Sequence, residues 1–309
     1  MQSSRCVEWL AGESTDFPQC GWRASRTTTW RPTLSPRSAI TFSRDASLSE
    51  SVEDVRFIVN ADDLGMSDAI NEAIFDGMAT GVVTSATIVA AGPAAAAAVK
   101  TARAFPHASF GVHLNLSSFR PLAGTPALRP ILDADGAFRE HAIRQVPWSL
   151  GLLDAVALEW LAQVQWVIDS GIAVSHLDGH HHVHMLPGLF PALKRVQRKF
   201  GLRRVRGTWS IYDRAHAPTP MLRLKKHLWF VALRRLWKTR TTEALSDFLM
   251  FLRAVDEGVF AARRWPRSIE LMVHPNGIEA ESGEEARALR SNWLERLPCA
   301  GTLVSYQSI

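Results

Sequence analysis

From residue 55 onwards, short β-rich runs alternate with helical segments, and this alternation constrains the fold more than any other feature. It indicates parallel strands joined by helical crossovers, hence an α/β fold that is either an open doubly wound sheet or a barrel. No phosphate-binding GxGxxG or GxxxxGK[ST] motif follows a strand, which disfavours nucleotide-binding versions. The predicted strands are 55–60, 82–90, 109–116, 172–177, 203–206, 268–274 and 302–306, and the predicted helices are 67–79, 93–104, 152–170, 187–200 and 282–297.

The beginning of the 309-residue chain differs from the rest. Ser, Thr, Arg and Pro dominate residues 1–53 without any helical or alternating pattern, so we predict a disordered extension there and a single domain over 54–309. No apolar run reaches the ~20 residues that cross a bilayer. The cysteines, Cys6, Cys20 and Cys299, are too few and too scattered for a disulfide framework, which favours a reducing, cytoplasmic location.

Positive charge is concentrated in one part of the chain. The formal net charge is +5, and residues 194–240 hold 15 Lys or Arg against one acid, Asp213. This stretch would suit an anionic partner, but no recognised nucleic-acid module accompanies it, so no nucleic acid is expected. A basic protein that binds a membrane surface or nucleic acid without catalysis is therefore the alternative from a different functional class.

Residues 221–237 have the apolar and basic content of an interfacial helix, which would give peripheral membrane contact. The favoured interpretation is an ordinary barrel helix with solvated cations. Its core-facing side chains would be Leu224, Leu228, Val231 and Trp237.

The first candidate for chemistry is the pair Asp62 and Asp63, which directly follows the first predicted strand in the run NADDLG. The carboxyl ends of parallel strands are the edge where both α/β architectures place active sites. Adjacent carboxylates repel unless a cation or a proton separates them, so the pair suits one metal ligand beside one acid/base group. An Asx turn and helix N-cap is the structural alternative.

The second candidate is the run HLDGHHHVH over residues 176–184, with five histidines in nine residues. On an extended segment alternate residues share a face, so His176, Asp178 and His180 point one way. Imidazoles suit a borderline divalent ion, and Asp178 can orient one of them. Although a histidine-rich run can be a solvent-exposed segment without function, its position directly after a strand favours a metal-binding site.

Two lone histidines, His113 in GVHLNL and His274 in ELMVHP, lie in apolar strands. Each taken alone is more often a hydrogen-bonded core residue. Because both fall at or near the carboxyl end of a predicted strand, as the Asp pair and His180 do, they are expected at one rim.

Together these motifs resemble the YdjC-like carbohydrate deacetylases, in order and in spacing, over residues 55–276. The resemblance implies a variant (β/α) barrel of the polysaccharide-deacetylase type that binds one divalent metal ion, Mg²⁺ or Zn²⁺. Region 208–262 matches no motif and would be an insert. The motifs are VNADDLG (59–65), VVTSAT (82–87), GVHL (111–114), HLDGHHHVH (176–184) and VHP (273–275).

The resemblance also implies roles for individual residues. Asp63, His113 and His180 would be the metal ligands, Asp62 the base that takes a proton from metal-bound water, and His274 the acid for the leaving amine. Beside the ligands, Asp178 and His176 would support them.

The implied reaction removes acetate from an N-acetylated sugar or glycolipid. Another metal-dependent amidase or a phosphoesterase is the alternative within the enzyme class. The oligomeric state is open, and a homodimer is one option. Leu64 and Gly179 stand where the family usually has Phe and Ser, which bears on substrate fit rather than on the ligands.

Overall fold

The computed structural model describes residues 54–236, 238–261, 264–275 and 282–309. The predicted extension 1–53 lies outside them. The strands are β1 (Val55–Leu64), β2 (Ser85–Ile88), β3 (Ser109–Leu114), β4 (Val174–Gly179), β5 (Ala244–Asp247), β6 (Ser268–Val273) and β7 (Gly301–Leu303). The α-helices are α1 (Asp68–Ala79), α2 (Ala95–Ala102), α3 (Ala142–Gln145), α4 (Leu150–Asp169), α5 (Phe190–Phe200), α6 (Pro220–Leu236), α7 (Phe248–Asp256) and α8 (Ser282–Leu289).

The strands form one parallel sheet in the order β4-β3-β2-β1-β6-β5, with β7 paired to the start of β1. The segment 203–211 joins the two edges of this sheet. Val205 bridges Leu177 of β4, and Ser210 bridges Leu245 of β5. The strands therefore close into a ring, which confirms the α/β class and selects the barrel over the open sheet.

The interior of the ring is polar, whereas its outer face is apolar. Alternate residues of β1, Phe57, Val59 and Ala61, join the hydrophobic core between strands and helices. The residues between them point inward, where buried polar groups need hydrogen-bond partners. The buried polar side chains that meet inside the ring include Asn60, Thr87, His113, Asp178, Arg206 and Glu270.

Helix boundaries follow the local signals closely where a cap is present. Ser67 caps α1 as predicted, because its Oγ accepts from the Ile70 amide at 3.2 Å. The predicted helix 282–297 instead ends at Leu289 and continues as a 3₁₀ turn over Trp293–Arg296. Neither β5 nor the helix α7 that follows it was predicted. The four residues of β5 carry too little periodicity to indicate a strand.

The predicted orientation of the basic helix was wrong for two of its residues. Leu224 and Leu228 of α6 are 52% and 59% exposed, whereas Leu233 on the other side is buried. The sequence has apolar residues around the whole helix, so periodicity could not select the buried face. Within the described part of the chain, no helix is both long and apolar enough to cross a bilayer.

Candidate active site

An irregularity in β1 brings two consecutive carboxylates to the same end of the barrel. Neighbouring residues of a regular strand point to opposite faces. Here the register between β1 and β2 shifts between Ala61 and Leu64, and Asp63 adopts a left-handed conformation with φ +68°. The Asn71 side chain fixes the following turn by accepting from the Gly65 amide at 2.7 Å. Asp62 therefore points into the barrel, while Asp63 reaches across its mouth.

Asp63, His113 and His180 converge at this mouth. His180 Nδ1 lies 2.9 Å and His113 Nε2 lies 3.3 Å from Asp63 Oδ1. One potential metal-ligand atom of each residue lies within 4.8 Å of the other two. The Asp63 oxygen is buried and has no hydrogen bond of normal geometry. Burial would raise the pKa of Asp63, but the two imidazoles hold it well below its usual value.

Asp178 and Thr87, which lie inside the barrel, fix the orientation of the His113 ring. His113 Nδ1 lies 2.7 Å from Asp178 Oδ1, and Thr87 Oγ1 donates to Asp178 Oδ2 at 3.0 Å. This pairing leaves His113 Nε2 directed at Asp63. Burial would lower the pKa of His113, but the Asp178 and Asp62 carboxylates raise it well above its usual value.

A buried arginine that lies outside all of the sequence motifs holds the carboxylates together. Arg206 is fully buried and donates to both oxygens of Asp62, at 2.6 and 2.5 Å. It also contacts Asp178 at 3.0 Å and Glu270 at 2.7 Å. Burial would raise the pKa of Asp62, but the guanidinium keeps it well below its usual value. Arg206 ends the predicted strand 203–206, and no sequence signal separates it from the other basic residues of that stretch.

His274 follows β6 and faces Asp62 across the mouth. Its Nε2 lies 3.9 Å from Asp62 Oδ2, and its backbone amide donates to Glu285 Oε1 at 2.7 Å. Asp247, His274 and Glu285 form a second group, in which one side-chain oxygen or nitrogen of each residue lies within 4.8 Å of the others. Burial raises the pKa of Glu285 to about 7, with Asp247 and Asp62 adding to the rise.

This value predicts a pH dependence of stability. Because the folded-state pKa of Glu285 exceeds the value of an ordinary glutamate, the folded protein holds the proton more tightly than the unfolded chain. Its contribution to the free energy of unfolding is present at low pH and is lost as pH rises toward 7, by about 3 kcal/mol in all. We expect Glu285→Gln to abolish this loss, measured by urea unfolding at pH 5 to 8, with the exposed Glu284→Gln as control. Identical pH profiles for wild type and Glu285→Gln would contradict the prediction.

A family model described as YdjC-like protein matches residues 56–297, most of the chain. The chain belongs to the YdjC-like family. This confirms the resemblance seen in the motifs.

Two relatives of this YdjC-like chain are named carbohydrate deacetylase. The one from Halalkalibacterium halodurans is 36% identical over 149 residues, 48% of this chain and 62% of the relative. The one from Geobacillus stearothermophilus is 36% identical over 145 residues, 47% of this chain and 57% of the relative. The matched segment thus spans less than two thirds of either relative. A crystal structure of a putative cellobiose-phosphate cleavage protein from Enterococcus faecalis has the same fold, with TM-score 0.65, 24% identity and coverage of 82% of this chain and 98% of that one.

The remaining histidines of the YdjC-like motif do not join the Asp63 group. His176 lies deeper in the barrel, where its ring stacks on Tyr306 with ring centroids 3.6 Å apart. Its Nδ1 is hydrogen-bonded to Ser175 Oγ at 2.8 Å. Tyr306 in turn donates to Glu270. His184 is buried beneath the turn, and burial lowers its pKa well below the usual value.

Proposed function

We propose that this chain is a metal-dependent carbohydrate N-deacetylase that releases acetate from an N-acetylated sugar. The observation that carries the proposal is the convergence of Asp63, His113 and His180 at the mouth of the barrel, within reach of Asp62 and His274. The two relatives named carbohydrate deacetylase support the choice of substrate class.

The residues present fit a divalent cation. One carboxylate oxygen without a hydrogen bond and two imidazole nitrogens form a donor set typical of a catalytic site with open positions. Two imidazoles favour an ion such as Zn²⁺ over Mg²⁺, which prefers oxygen ligands. When bound, the cation would supply Lewis acidity, which polarises an acetamide carbonyl and makes water more acidic. Asp63, His113 and His180 would hold it.

Two side chains on either side of the mouth would move the protons. Asp62 is ionised because Arg206 stabilises its carboxylate, so it would accept a proton from the attacking water. His274, which is partly exposed, would donate a proton to the departing amine of the sugar. Arg206 would fix the orientation of Asp62 without contacting the substrate. Hydrolysis would break the amide C–N bond, so that the water oxygen is transferred to acetate and the sugar leaves as a free amine.

The test is acetate release over a panel of N-acetylated mono- and oligosaccharides. We expect activity that is lost after dialysis against a chelator and is restored by Zn²⁺ more effectively than by Mg²⁺. Full activity after complete removal of metal, verified by elemental analysis, would overturn the metal dependence. Hydrolysis of phosphate esters or other amides, without acetate release from any sugar, would favour the alternative hydrolases.

A further inference from the structure

The helix α6 carries an exposed apolar stripe that no described residue covers. Met221, Leu224 and Leu228 are 61%, 52% and 59% exposed, and their spacing of three and four places them on one face of the helix. The opposite side of the helix packs against the protein. Leu233 on that side is buried, and Trp229 packs on Phe190 with ring centroids 5.3 Å apart. The helix therefore has one apolar side in the protein and a second in solvent.

Positive charge surrounds this stripe. Arg223, Lys225, Arg234 and Arg235 are exposed on the same helix, which contains no acidic residue between 220 and 236. The one acid between 194 and 240, Asp213, is buried and its carboxylate binds Arg253 at 2.9 Å. The charge near the stripe is thus left uncompensated within that stretch of the chain.

We propose that α6 docks this chain on the surface of an anionic lipid bilayer. An interfacial helix lies in the membrane plane with apolar side chains below the headgroups and Lys or Arg beside the lipid phosphates. The stripe and its flanking cations provide both. A second copy of the same face would bring like charges together, which disfavours self-association through it.

The position of α6 relative to the barrel gives the docking a consequence. Thr208 Oγ1 donates to the Lys226 carbonyl at 3.3 Å, and Lys226 Nζ donates to Ser210 Oγ at 3.2 Å. Thr208 and Ser210 belong to the segment 203–211 that closes the ring, so these contacts hold α6 against the barrel wall that this segment forms. If the proposed function holds, docking through α6 would hold the barrel at a membrane surface, where an N-acetylated glycolipid would be presented.

The test is flotation of the full chain with phosphatidylcholine vesicles that contain or lack phosphatidylglycerol. We expect binding only to the anionic vesicles, weakened by salt. Leu224→Ser/Leu228→Ser should lower the affinity about tenfold through lost apolar burial, and Lys225→Gln/Arg235→Gln about tenfold or more through lost attraction. The matched controls, Leu150→Ser/Leu158→Ser on α4 and Lys100→Gln/Arg290→Gln, change exposed residues elsewhere and should bind like wild type.

Binding that does not depend on anionic lipid, or α6 variants that bind as their controls do, would overturn the docking. So would a wild-type dimer that dissociates in the Leu224→Ser/Leu228→Ser variant without any vesicle binding. Acetate release from a soluble N-acetylated sugar should be equal in wild type and all four variants. Loss of vesicle binding with that activity intact would leave the proposed function standing, so the two proposals fail separately.

Discussion

Asp62→Asn should lower acetate release by roughly a thousandfold while the protein still binds one equivalent of divalent metal. The amide cannot accept the proton from water, but the three atoms that would hold the ion belong to Asp63, His113 and His180. Because Asn is nearly isosteric with Asp, Arg206 can still donate to the remaining oxygen. Metal analysis of the purified variant, together with the acetate assay, measures both effects.

Ligand variants provide the comparison. His180→Ala and His113→Ala should lose both bound metal and activity, since each removes one nitrogen from a set of three donors. His216→Ala, which changes a half-exposed histidine paired with Asp213, should lose neither. A fully active Asp62→Asn protein would exclude Asp62 as the base. Stoichiometric metal in His113→Ala would show that the ligand set is wrong.

Arg206→Met should destabilise the fold by about 3–5 kcal/mol, because it leaves buried carboxylates without their cation. Asp62, Asp178 and Glu270 all contact this guanidinium inside the barrel. Arg195→Met is a matched control: its pair with Asp154 also measures 2.7 Å, but it is exposed and should contribute no more than about 1 kcal/mol. Urea unfolding measures both differences.

A second change tests the cause of this destabilisation. Glu270→Gln in the Arg206→Met background removes one of the uncompensated charges and should restore part of the lost stability. A double variant that is less stable than Arg206→Met by the full cost of Glu270→Gln alone would show that the two residues act independently. That result would contradict the proposed charge cluster.

Local patterns predicted six of the seven strands in the described residues and the rim placement of the candidate residues, because periodicity and strand ends are properties of short segments. The run VNADDLG (59–65) could be placed at the end of a strand from the sequence. The left-handed turn at Asp63, which directs its side chain across the mouth, could not be predicted. That conformation depends on the shifted pairing with β2 and on the Asn71 side chain. Both are tertiary contacts.

The role of Arg206 also could not be predicted from the sequence, because tertiary contacts determine it. Among 15 basic residues in one stretch, nothing in the sequence distinguishes the one that closes inward on three carboxylates from those that face solvent. The distinction comes from ring closure, which pairs Val205 with Leu177 of β4 and Ser210 with Leu245 of β5 and so turns Arg206 toward the interior. The exposed face of α6 was mispredicted for a related reason, since its buried side is chosen by neighbours such as Phe190.

The left-handed backbone at Asp63 places two separate demands on a single residue. The main chain there accepts Gly, Asn or Asp with little cost, whereas bulkier or branched side chains are strained. The proposed metal site needs a short anion at the same position. Glycine and asparagine meet the first demand but carry no charge, and glutamate carries the charge on a longer stem with a poorer backbone fit. Aspartate alone among the common amino acids satisfies both, so the position has no conservative replacement.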